Sequence, residues 1–344
     1  MKVAFNAPQT FNQVIGGAEI QLLKTKKALE ELGVEVHLFD QWEMKVTDFD
    51  LVHNFTGDPS TYPLCSHVKK AQVPLVVSTV YWPVLEYYLF SDTGKKQKLL
   101  ALGYHFFKKI FSAGDLQRRI YHMADILLPN SVTEAKQVAR DFGVELNRSF
   151  VVPNGVDRRF ADAKPDLFYQ RYGLKDFVLC VGRIEPRKNQ LSVIRALKGT
   201  GIPLVIIGEP AYKPHPYYEA CLREKDDSVH FLGYISHDDP LLESAYAACH
   251  TFLLASWYDT PGLVALEAGL AGARVVITGK GTTRDYFADY VRYVDPRSVR
   301  DIREAVLAAY GEPKNDLLRN HIMQNFLWEN VGQKTFEAYR KVLS

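Results

Sequence analysis

The chain has 344 residues, of which 47% are hydrophobic and 24% are charged, and its formal net charge is +2. These proportions are typical of globular proteins. Because cationic and anionic side chains are almost equal in number, the composition argues against a nucleic-acid-binding protein. The N-terminal stretch is too soon interrupted by Asn6 and Pro8 to be a secretory signal, and no apolar run approaches a membrane span. We therefore expect a cytoplasmic protein, with four scattered cysteines as buried free thiols.

Short apolar runs alternate with amphipathic stretches through the first half of the chain. The predicted strands are KVAFNA, VEVHLF, LVHNF, PLVVSTV and DILLP, and AEIQLLKTKKALEEL and VTEAKQVARDF are predicted helices. After PNGVD the alternation restarts with DFVLCVG, a helix over 190–198, PLVIIGE, VHFLG, HTFLLAS and RVVIT. An alternation of this kind predicts an α/β fold with doubly wound parallel sheets.

The turn-rich stretch around PNGVD and ADAKPD marks a domain boundary. We expect two Rossmann-like domains, 1–162 and 163–324, with a C-terminal helix over 325–344 packing back on the first. Ligands of open α/β sheets bind beyond the carboxyl ends of the strands, so both domains should offer those ends to a central cleft.

Paired glycines follow the first predicted strand. Gly16 and Gly17 stand directly before a helix, where glycine lets the backbone approach a phosphate or a sugar closely. A plain turn explains the same pair equally well, so this motif alone decides nothing.

The stretch GRIEPRKN joins a strand to a helix and carries three cations, Arg183, Arg187 and Lys188. The free N–H groups and the dipole of a helix N-terminus favour phosphate, and cations beside it strengthen that preference. We expect a diphosphate site here rather than a solvated loop.

The stretch SWYDTPGLVALEAG places one carboxylate before a helix and another inside it. Pro261 suits the first turn and Gly262 permits a close approach of the backbone. Glu267 would lie about one turn into the helix, where a carboxylate can accept hydrogen bonds from vicinal hydroxyls, and Asp259 could reach a sugar on the same diphosphate. The structural alternative is that Asp259 caps the helix and Glu267 lies on the surface.

Taken together, GGAE, PNGVD, GRIEPRKN and DTPGLVALEAGLAGARVVIT resemble, in order and separation, the retaining nucleotide-sugar glycosyltransferases of family 4, which have the GT-B fold. The resemblance implies that Arg183 and Lys188 bind the donor diphosphate and that Glu267 holds the ribose. It places Asp259 where the family usually has a Glu, at the donor sugar, with a carboxylate one methylene shorter.

The same resemblance extends to further donor-binding positions. It implies that Gly16 and Gly17 lie near the phosphates and that the nucleotide pocket includes four other residues, Gly208, Tyr234, Gly262 and Leu263.

Two positions are open as sugar or acceptor contacts. Many members of the family carry a His where this chain has Tyr81. His53, at the end of the strand LVHNF, is then either a histidine of the cleft or one satisfied at the sheet edge.

The expected chemistry needs no metal and no cofactor, because fixed cations at Arg183 and Lys188 can neutralise a departing nucleoside diphosphate. The pair Asp48 and Asp50 has the spacing of a metal site in other glycosyltransferases. It lies at the entry of a predicted strand, away from the ligand end, so strand capping is the better interpretation.

Residues 95–119 combine seven cations with the single acid Asp115. The cations are Lys95, Lys96, Lys98, Lys108, Lys109, Arg118 and Arg119. Apolar residues at helical spacing accompany them, so this stretch is either a basic amphipathic helix on an anionic membrane or a domain helix packed on the sheet.

We therefore expect a retaining, metal-independent hexosyltransferase that moves a hexose from a UDP- or GDP-sugar to a glycan or lipid-linked acceptor, in the assembly of surface polysaccharide or O-antigen. It would be cytoplasmic, with peripheral membrane contact through residues 95–119. The alternatives are a GT-B sugar-nucleotide epimerase or phosphorylase, or a non-catalytic nucleotide-sugar binding module.

Overall fold

The computed structural model describes residues 1–9, 11, 16–83, 87, 103, 115–212 and 215–344. These residues form two compact units. Residues 1–83, 103, 115–155 and Phe326–Ser344 belong to the first unit, and 87 and Val156–Asn325 belong to the second.

The first unit is built on a parallel sheet. Its described strands are β1 (Lys2–Asn6), β2 (Glu35–Leu38), β3 (Leu51–Phe55), β4 (Leu75–Ser78) and β5 (Ile126–Leu128). They lie in the order β2-β1-β3-β4-β5, and every pairing is parallel. All carboxyl ends therefore meet at one edge. Strands β3, β4 and β5 are buried along their whole length, which explains their continuous apolar sequences.

Helices cover this sheet. The described ones are α1 (Gly17–Glu31), α2 (Tyr62–Lys70), α3 (Leu116–Met123) and α4 (Val132–Phe142). The start of α4 is fixed by the Ser131 hydroxyl, which accepts from the Glu134 amide at 3.0 Å. Its end is fixed by Gly143, which has a φ of 69°.

The second unit repeats the architecture with a larger sheet. Its described strands are β6 (Val178–Val181), β7 (Leu204–Ile207), β8 (Val229–Gly233), β9 (Thr251–Leu254), β10 (Arg274–Thr278) and β11 (Arg292–Val294). Their order is β11-β10-β9-β6-β7-β8, again all parallel.

The helices of the second unit begin after its strands or in the connections between them. They are α5 (Asp166–Tyr172), α6 (Gln190–Leu197), α7 (Pro216–Glu224), α8 (Pro240–Ala248), α9 (Leu263–Leu270), α10 (Thr283–Phe287), α11 (Val299–Tyr310) and α12 (Leu317–Asn325).

The last helix, α13 (Trp328–Leu343), belongs to the first unit and packs against α1. The helices approach closely at Gly332, where an added Cβ would lie 2.7 Å from Cβ of Ala28. Trp328 and Tyr339 enter the same core as strands β1 and β3.

Two parallel α/β sheets confirm the predicted fold class. None of the described helices is long and apolar enough to cross a membrane. Most of the basic stretch 95–119 lies outside the described residues. In its described end, Asp115 caps α3 by accepting from the amides of Gln117 and Arg118.

Candidate functional site

The site begins where β6, β7 and β8 end. Gly208 has a φ of 143°, and a Cβ there would lie 2.1 Å from the carbonyl oxygen of Gly182. The Gly208 amide donates to the Gly233 carbonyl at 2.7 Å. Only glycine fits at position 208, because a side chain there would collide with Gly182. This close approach lets the loops after β6, β7 and β8 start side by side at one edge of the sheet.

The loop after β6 carries the predicted diphosphate cations. Arg183 is exposed, and among the described residues it has no ion-pair partner. Its carbonyl accepts from Nε2 of Gln190 at 2.9 Å. The loop is anchored by Asn189, whose φ is 60° and whose Nδ2 donates to the carbonyls of Ala255 and Pro296 at 3.1 and 2.9 Å. Asn189 therefore ties this loop to those after β9 and β11.

Lys188 and Asp259 contact each other directly. The Lys188 Nζ lies 3.1 and 3.2 Å from the two carboxylate oxygens of Asp259, and the Arg187 guanidinium is 3.8 Å from the nearer oxygen. Burial opposes ionisation of Asp259, which is 7% exposed, but the charges of Lys188 and Arg187 outweigh it and hold the pKa of that carboxyl below its usual value. Burial lowers the pKa of Lys188.

This contact refines the predicted roles. The sequence assigned Lys188 to a phosphate and Asp259 to a sugar as separate contacts, whereas the structure couples the two groups. Asp259 offsets part of the positive charge of Lys188 and Arg187. Arg183, on the same loop, is exposed and lies outside the Lys188–Asp259 pair.

The backbone of Asp259 is held by the loop after β10. Thr282 donates its amide to the Asp259 carbonyl at 3.0 Å, and the Asp259 amide donates to the Lys280 carbonyl at 3.3 Å. A Cβ on Gly281, whose φ is 94°, would lie 2.0 Å from the Asp259 carbonyl oxygen. Nothing in the sequence pattern around Gly281 had pointed to this support.

Gly262 and Leu263 bring the start of α9 beside Asp259. Gly262 is the residue before the helix and has a φ of 90°, and a Cβ there would lie 2.9 Å from Leu254 and 3.6 Å from Cβ of Asp259. Leu263 is the first helical residue and is half-buried. The start of α9 therefore lies beside the Asp259 side chain.

Glu267 lies in α9 and is 5% exposed. Its Oε1 is 2.9 Å from Nε2 of His237, and its Oε2 accepts from the Tyr246 hydroxyl at 2.7 Å. The hydrogen bond to Glu267 raises the pKa of His237 against the opposing effect of burial. The surface alternative for Glu267 is thus wrong, because the carboxylate is buried and fixed at both oxygens.

Arg159 holds His237 in place. Its Nη2 lies 3.1 Å from Nδ1 of His237 and donates to the His237 carbonyl at 2.7 Å. It also forms an ion pair with Glu243 at 3.0 Å. The sequence analysis did not identify Arg159, His237 or Tyr246 as site residues. The one signal in the sequence was His237 itself, a histidine in the polar loop that follows FLGYIS.

Tyr234 lies on the same loop after β8 and is 69% exposed. Gly233 before it has a φ of 75°, which turns the chain at the end of the strand. An exposed ring at this edge is available to a ligand, and its predicted role at the nucleotide stays a prediction.

Gly16 and Gly17 belong to the first unit, at the start of α1. Gly16 donates its amide to Oε2 of Glu19 at 2.9 Å, and Gly17 is the first helical residue. Their role near a phosphate stays a prediction.

The environment of His53 distinguishes its two interpretations, a histidine of the cleft or one satisfied at the sheet edge. It is 1% exposed, and its ring nitrogens lie 2.6 Å from the Tyr339 hydroxyl and 2.9 Å from the Ser78 hydroxyl. Burial lowers its pKa to about 3. Because both nitrogens are engaged within the sheet and α13, the interpretation of a satisfied histidine is the correct one in this structure.

Tyr81 is half-buried, and its hydroxyl donates to Asp141 at 2.9 Å. Its amide donates to Glu134 at 2.7 Å. Glu134 also accepts from Thr79 and from the Asn130 amide, and burial raises its pKa to about 7. Tyr81 is therefore linked to the start and the end of α4.

The acids Asp48 and Asp50 bind backbone amides. Asp50 accepts from Lys2 at 2.7 Å and Asp48 from Lys45 at 3.1 Å. Within the described ranges, no group of three or more His, Cys, Asp or Glu side chains could hold a metal ion.

The sequence of residues 169–325 matches the family described as glycosyl transferases group 1. The O-antigen chain mannosyltransferase B of Escherichia coli is 26% identical over 196 residues, which cover 54% of this chain and 51% of that protein. The glycogen synthase of Mycobacterium tuberculosis is 27% identical over 251 residues, which cover 66% of this chain and 58% of that protein. The chain thus spans between half and three fifths of the length of these relatives.

Solved structures resemble the whole chain. The sucrose-phosphate synthase of Thermosynechococcus elongatus has a TM-score of 0.78 with 16% identity, and 99% of each chain is covered. The Anabaena protein HepE, in complex with UDP-glucose, has a TM-score of 0.71 with 18% identity, covering 99% of this chain and all of that one. Residues 169–325 thus match a glycosyl transferases group 1 domain, and the chain as a whole has the fold of GT-B glycosyltransferases.

Proposed function

We propose that this chain is a retaining, metal-independent hexosyltransferase that takes a hexose from a UDP- or GDP-sugar. The observation that carries the proposal is the grouping, at one edge of the second sheet, of the cations Arg183, Arg187 and Lys188 with the fixed carboxylates Asp259 and Glu267. This grouping lies within the segment that matches the glycosyl transferases group 1 family.

The cations have the role of stabilising a leaving nucleoside diphosphate. Preorganised charge in a partly buried site stabilises a developing anion more than charge in water does. Arg183 is exposed and outside the Lys188–Asp259 pair, so it can turn to a phosphate at low cost. Lys188 is held by Asp259, so it offers its charge from a fixed position.

Glu267 has the role of holding the ribose. A carboxylate has about four lone-pair positions, and His237 and Tyr246 use two of them. The remaining positions can accept from two vicinal hydroxyls. His237, Tyr246 and Arg159 are then positioning residues, because they act on the donor only through Glu267.

Asp259 has the role of meeting the donor sugar while it positions Lys188. The N-terminus of α9 lies beside it, and the helix dipole favours negative charge at the same place. Gly208, Tyr234, Gly262 and Leu263 are assigned to the walls of the nucleotide pocket, and Gly16 and Gly17 to the phosphates. No protein nucleophile is assigned; retention would follow from attack on the face that the leaving group vacates.

The acceptor in this proposal is a glycan or a lipid-linked glycan, and the process is assembly of a surface polysaccharide. Relatives with such acceptors support it: the Escherichia coli protein is named for the O-antigen chain, and a Campylobacter jejuni relative, 29% identical over 177 residues, acts on a diphospho-undecaprenol sugar. Contact with an anionic membrane through residues 95–119 belongs to the same proposal.

The experiment is thermal unfolding of the whole chain with UDP-, GDP- and ADP-hexoses, followed by a donor-hydrolysis assay without acceptor. A ligand that binds only the folded state raises the Tm by mass action. A Tm increase with a UDP- or GDP-hexose and slow release of the diphosphate are expected. A chain that none of these donors stabilises would contradict the proposal, and stabilisation without any hydrolysis or transfer would favour a binding module.

A further inference from the structure

The loop that follows β4 is held by one buried carboxyl group. Glu134, in the first turn of α4, is 0% exposed, and its Oε1 accepts from the Tyr81 amide at 2.7 Å and from the Thr79 hydroxyl. Its Oε2 accepts at 2.8 Å from the amide of Asn130, in the loop after β5. One side chain therefore ties two neighbouring exit loops to the start of a helix.

The residue between two of these contacts has a strained backbone. Val80 lies between Thr79 and Tyr81 and has a φ of 43°. A β-branched residue rarely adopts a positive φ, because its Cβ then crowds the neighbouring backbone. Such strain persists only where the surrounding structure imposes it, and Glu134 imposes it here from both sides. If either contact weakens, the loop can relax.

Glu134 has no counter-charge among the described residues. No Lys, Arg or His in that part of the chain pairs with it, and burial raises its pKa to about 7. Tyr121 of α3 faces it and donates to the Thr79 carbonyl at 3.0 Å. The charge of Glu134 adds to the effect of burial in raising the pKa of that phenol.

The other charged groups of this region lie farther along the helices. Asp141 and Arg140 are at the far end of α4, roughly 10 Å along the helix axis from Glu134. Asp115 caps α3, and Arg118 of α3 donates to the Asp141 carbonyl at 3.2 Å. Protonation of Glu134 is therefore governed by its burial and its hydrogen bonds.

Both protonation states of Glu134 can make the contacts, at different cost. When neutral, Oε1 can donate its proton to the Thr79 hydroxyl and accept from Tyr81, while Oε2 accepts from Asn130. When ionised, the carboxylate accepts all three hydrogen bonds, but its charge is held away from water without a paired cation of the described residues. Opening of the loop hydrates that charge and relaxes Val80, so ionisation favours the open loop.

We propose that Glu134 is a proton-operated latch for the loop after β4: when protonated it holds the loop on both sides of the strained Val80, and when ionised it lets the loop open. The loop starts at the carboxyl edge of the first sheet, so proton binding at Glu134 changes the shape of that edge. The latch operates whether or not the chain transfers a sugar, because its ligand is the proton.

The test is hydrogen exchange of the Tyr81 amide in the full chain, because this amide donates directly to Glu134. Its protection factor, corrected for the chemical exchange rate, is measured at about pH 6 and about pH 8.5. The pKa of Glu134 is about 7 in the closed loop and should return toward the ordinary 4.5 when the loop opens. By linkage, protection should fall about tenfold from the lower to the higher pH.

The stability of the whole chain should change with the same sign. The pKa of Glu134 is raised in the folded state, so its contribution to the free energy of unfolding is complete below pH 4.5 and is lost as the pH rises through about 7. Glu134→Gln cannot ionise. Its Tm, relative to that of the unaltered chain, should therefore rise from the lower to the higher pH, and its Tyr81 protection should be equal at both.

Two further variants distinguish a latch from a plain helix cap. Val80→Gly removes the strain, since glycine adopts a positive φ freely, and its Tyr81 amide should be better protected at the higher pH than in the unaltered chain. Glu19→Gln is the matched control. It changes another glutamate in the first turn of a first-unit helix, α1, and should keep the pH dependence of Tyr81 protection.

Three results would overturn the proposal: Tyr81 protection that does not change with pH in the unaltered chain, protection that rises with pH, or the same pH dependence in Glu134→Gln. A Val80→Gly loop that is as open at the higher pH as the unaltered one would contradict it as well, because the strain would then have no part in opening.

Discussion

The imidazole of His237 and the carboxylate of Glu267 lie 2.9 Å apart, Nε2 to Oε1. A carboxylate only accepts hydrogen bonds, so His237 donates from Nε2. Nδ1 lies 3.1 Å from an Arg159 nitrogen, which can only donate. When the ring is neutral, the tautomer with its proton on Nε2 satisfies both neighbours. In either protonation state Nε2 donates to Glu267 and fixes the orientation of that carboxylate.

Replacing His237 should weaken donor binding through Glu267. In His237→Ala the buried Glu267 loses one of its two partners, which costs about 1–3 kcal/mol of the free energy of unfolding. The Kd for a UDP- or GDP-sugar should rise with it, measured by calorimetry. His237→Gln can donate from its amide and should recover part of both losses; equal effects in the two variants would contradict the positioning role.

The contribution of His237 to stability should depend on pH. The hydrogen bond to Glu267 raises its folded-state pKa above the ordinary 6.5. The part of its contribution that comes from the charged imidazole is therefore complete below pH 6.5 and is lost as the pH rises through the raised value. Besides Glu267, the groups that face this imidazole are Arg159, Asp157 and Asp238, of which Arg159 opposes the shift. The Tm difference between the unaltered chain and His237→Ala should therefore be larger at about pH 6 than at about pH 9. A difference that grows with pH would contradict this sign.

Removing the charge of Asp259 should lower the free energy of unfolding without weakening nucleotide binding. Asp259→Asn leaves Lys188 and Arg187 without their shared counter-charge, and breaking a buried pair costs about 3 kcal/mol, measured by urea unfolding. The freed cations should bind UDP or GDP at least as tightly as before, while transfer to the acceptor falls.

The control for this pair is the double variant Lys188→Gln with Asp259→Asn. Its loss in free energy of unfolding should be smaller than the sum of the losses in the two single variants. Asp259→Glu restores the longer carboxylate of the resembling family and should keep measurable transfer. Additive costs in the cycle would contradict the direct coupling.

The glycine at the end of β7 should tolerate no side chain. A Cβ on Gly208 would lie 2.1 Å from the Gly182 carbonyl oxygen, so Gly208→Ala forces the exit loops apart. We expect a loss of about 2–3 kcal/mol together with loss of the ligand-induced Tm increase. Gly311 is the matched control, because its φ is −77° and the nearest atom to an added Cβ is 3.5 Å away; Gly311→Ala should change the Tm little.

The strands and the motif loops could be predicted because they depend on local sequence. Continuous apolar runs identified buried parallel strands, and GRIEPRKN identified a loop between a strand and a helix. The contacts that complete the site could not be predicted, because they join distant residues. Lys188 and Asp259 are 71 positions apart, and His237 and Glu267 are 30 apart.

His53 shows a different limit. Strand β3 is buried on both faces, so its sequence carries no alternation that would reveal which way the imidazole points. The partner that occupies one ring nitrogen, Tyr339, comes from the last helix, 286 positions away. A histidine at a strand end is therefore an ambiguous signal until the packing around it is known.

The most direct test of the account is nucleoside diphosphate release from UDP- and GDP-hexoses by the unaltered chain and by Arg183→Ala, with a metal chelator present. Arg183 is exposed and outside the Lys188–Asp259 pair, so its removal should leave the Tm unchanged. We expect release without metal by the unaltered chain and a loss of about a hundredfold in Arg183→Ala. Absence of release with every donor, or an equal rate in the two proteins, would contradict the proposed function of this site.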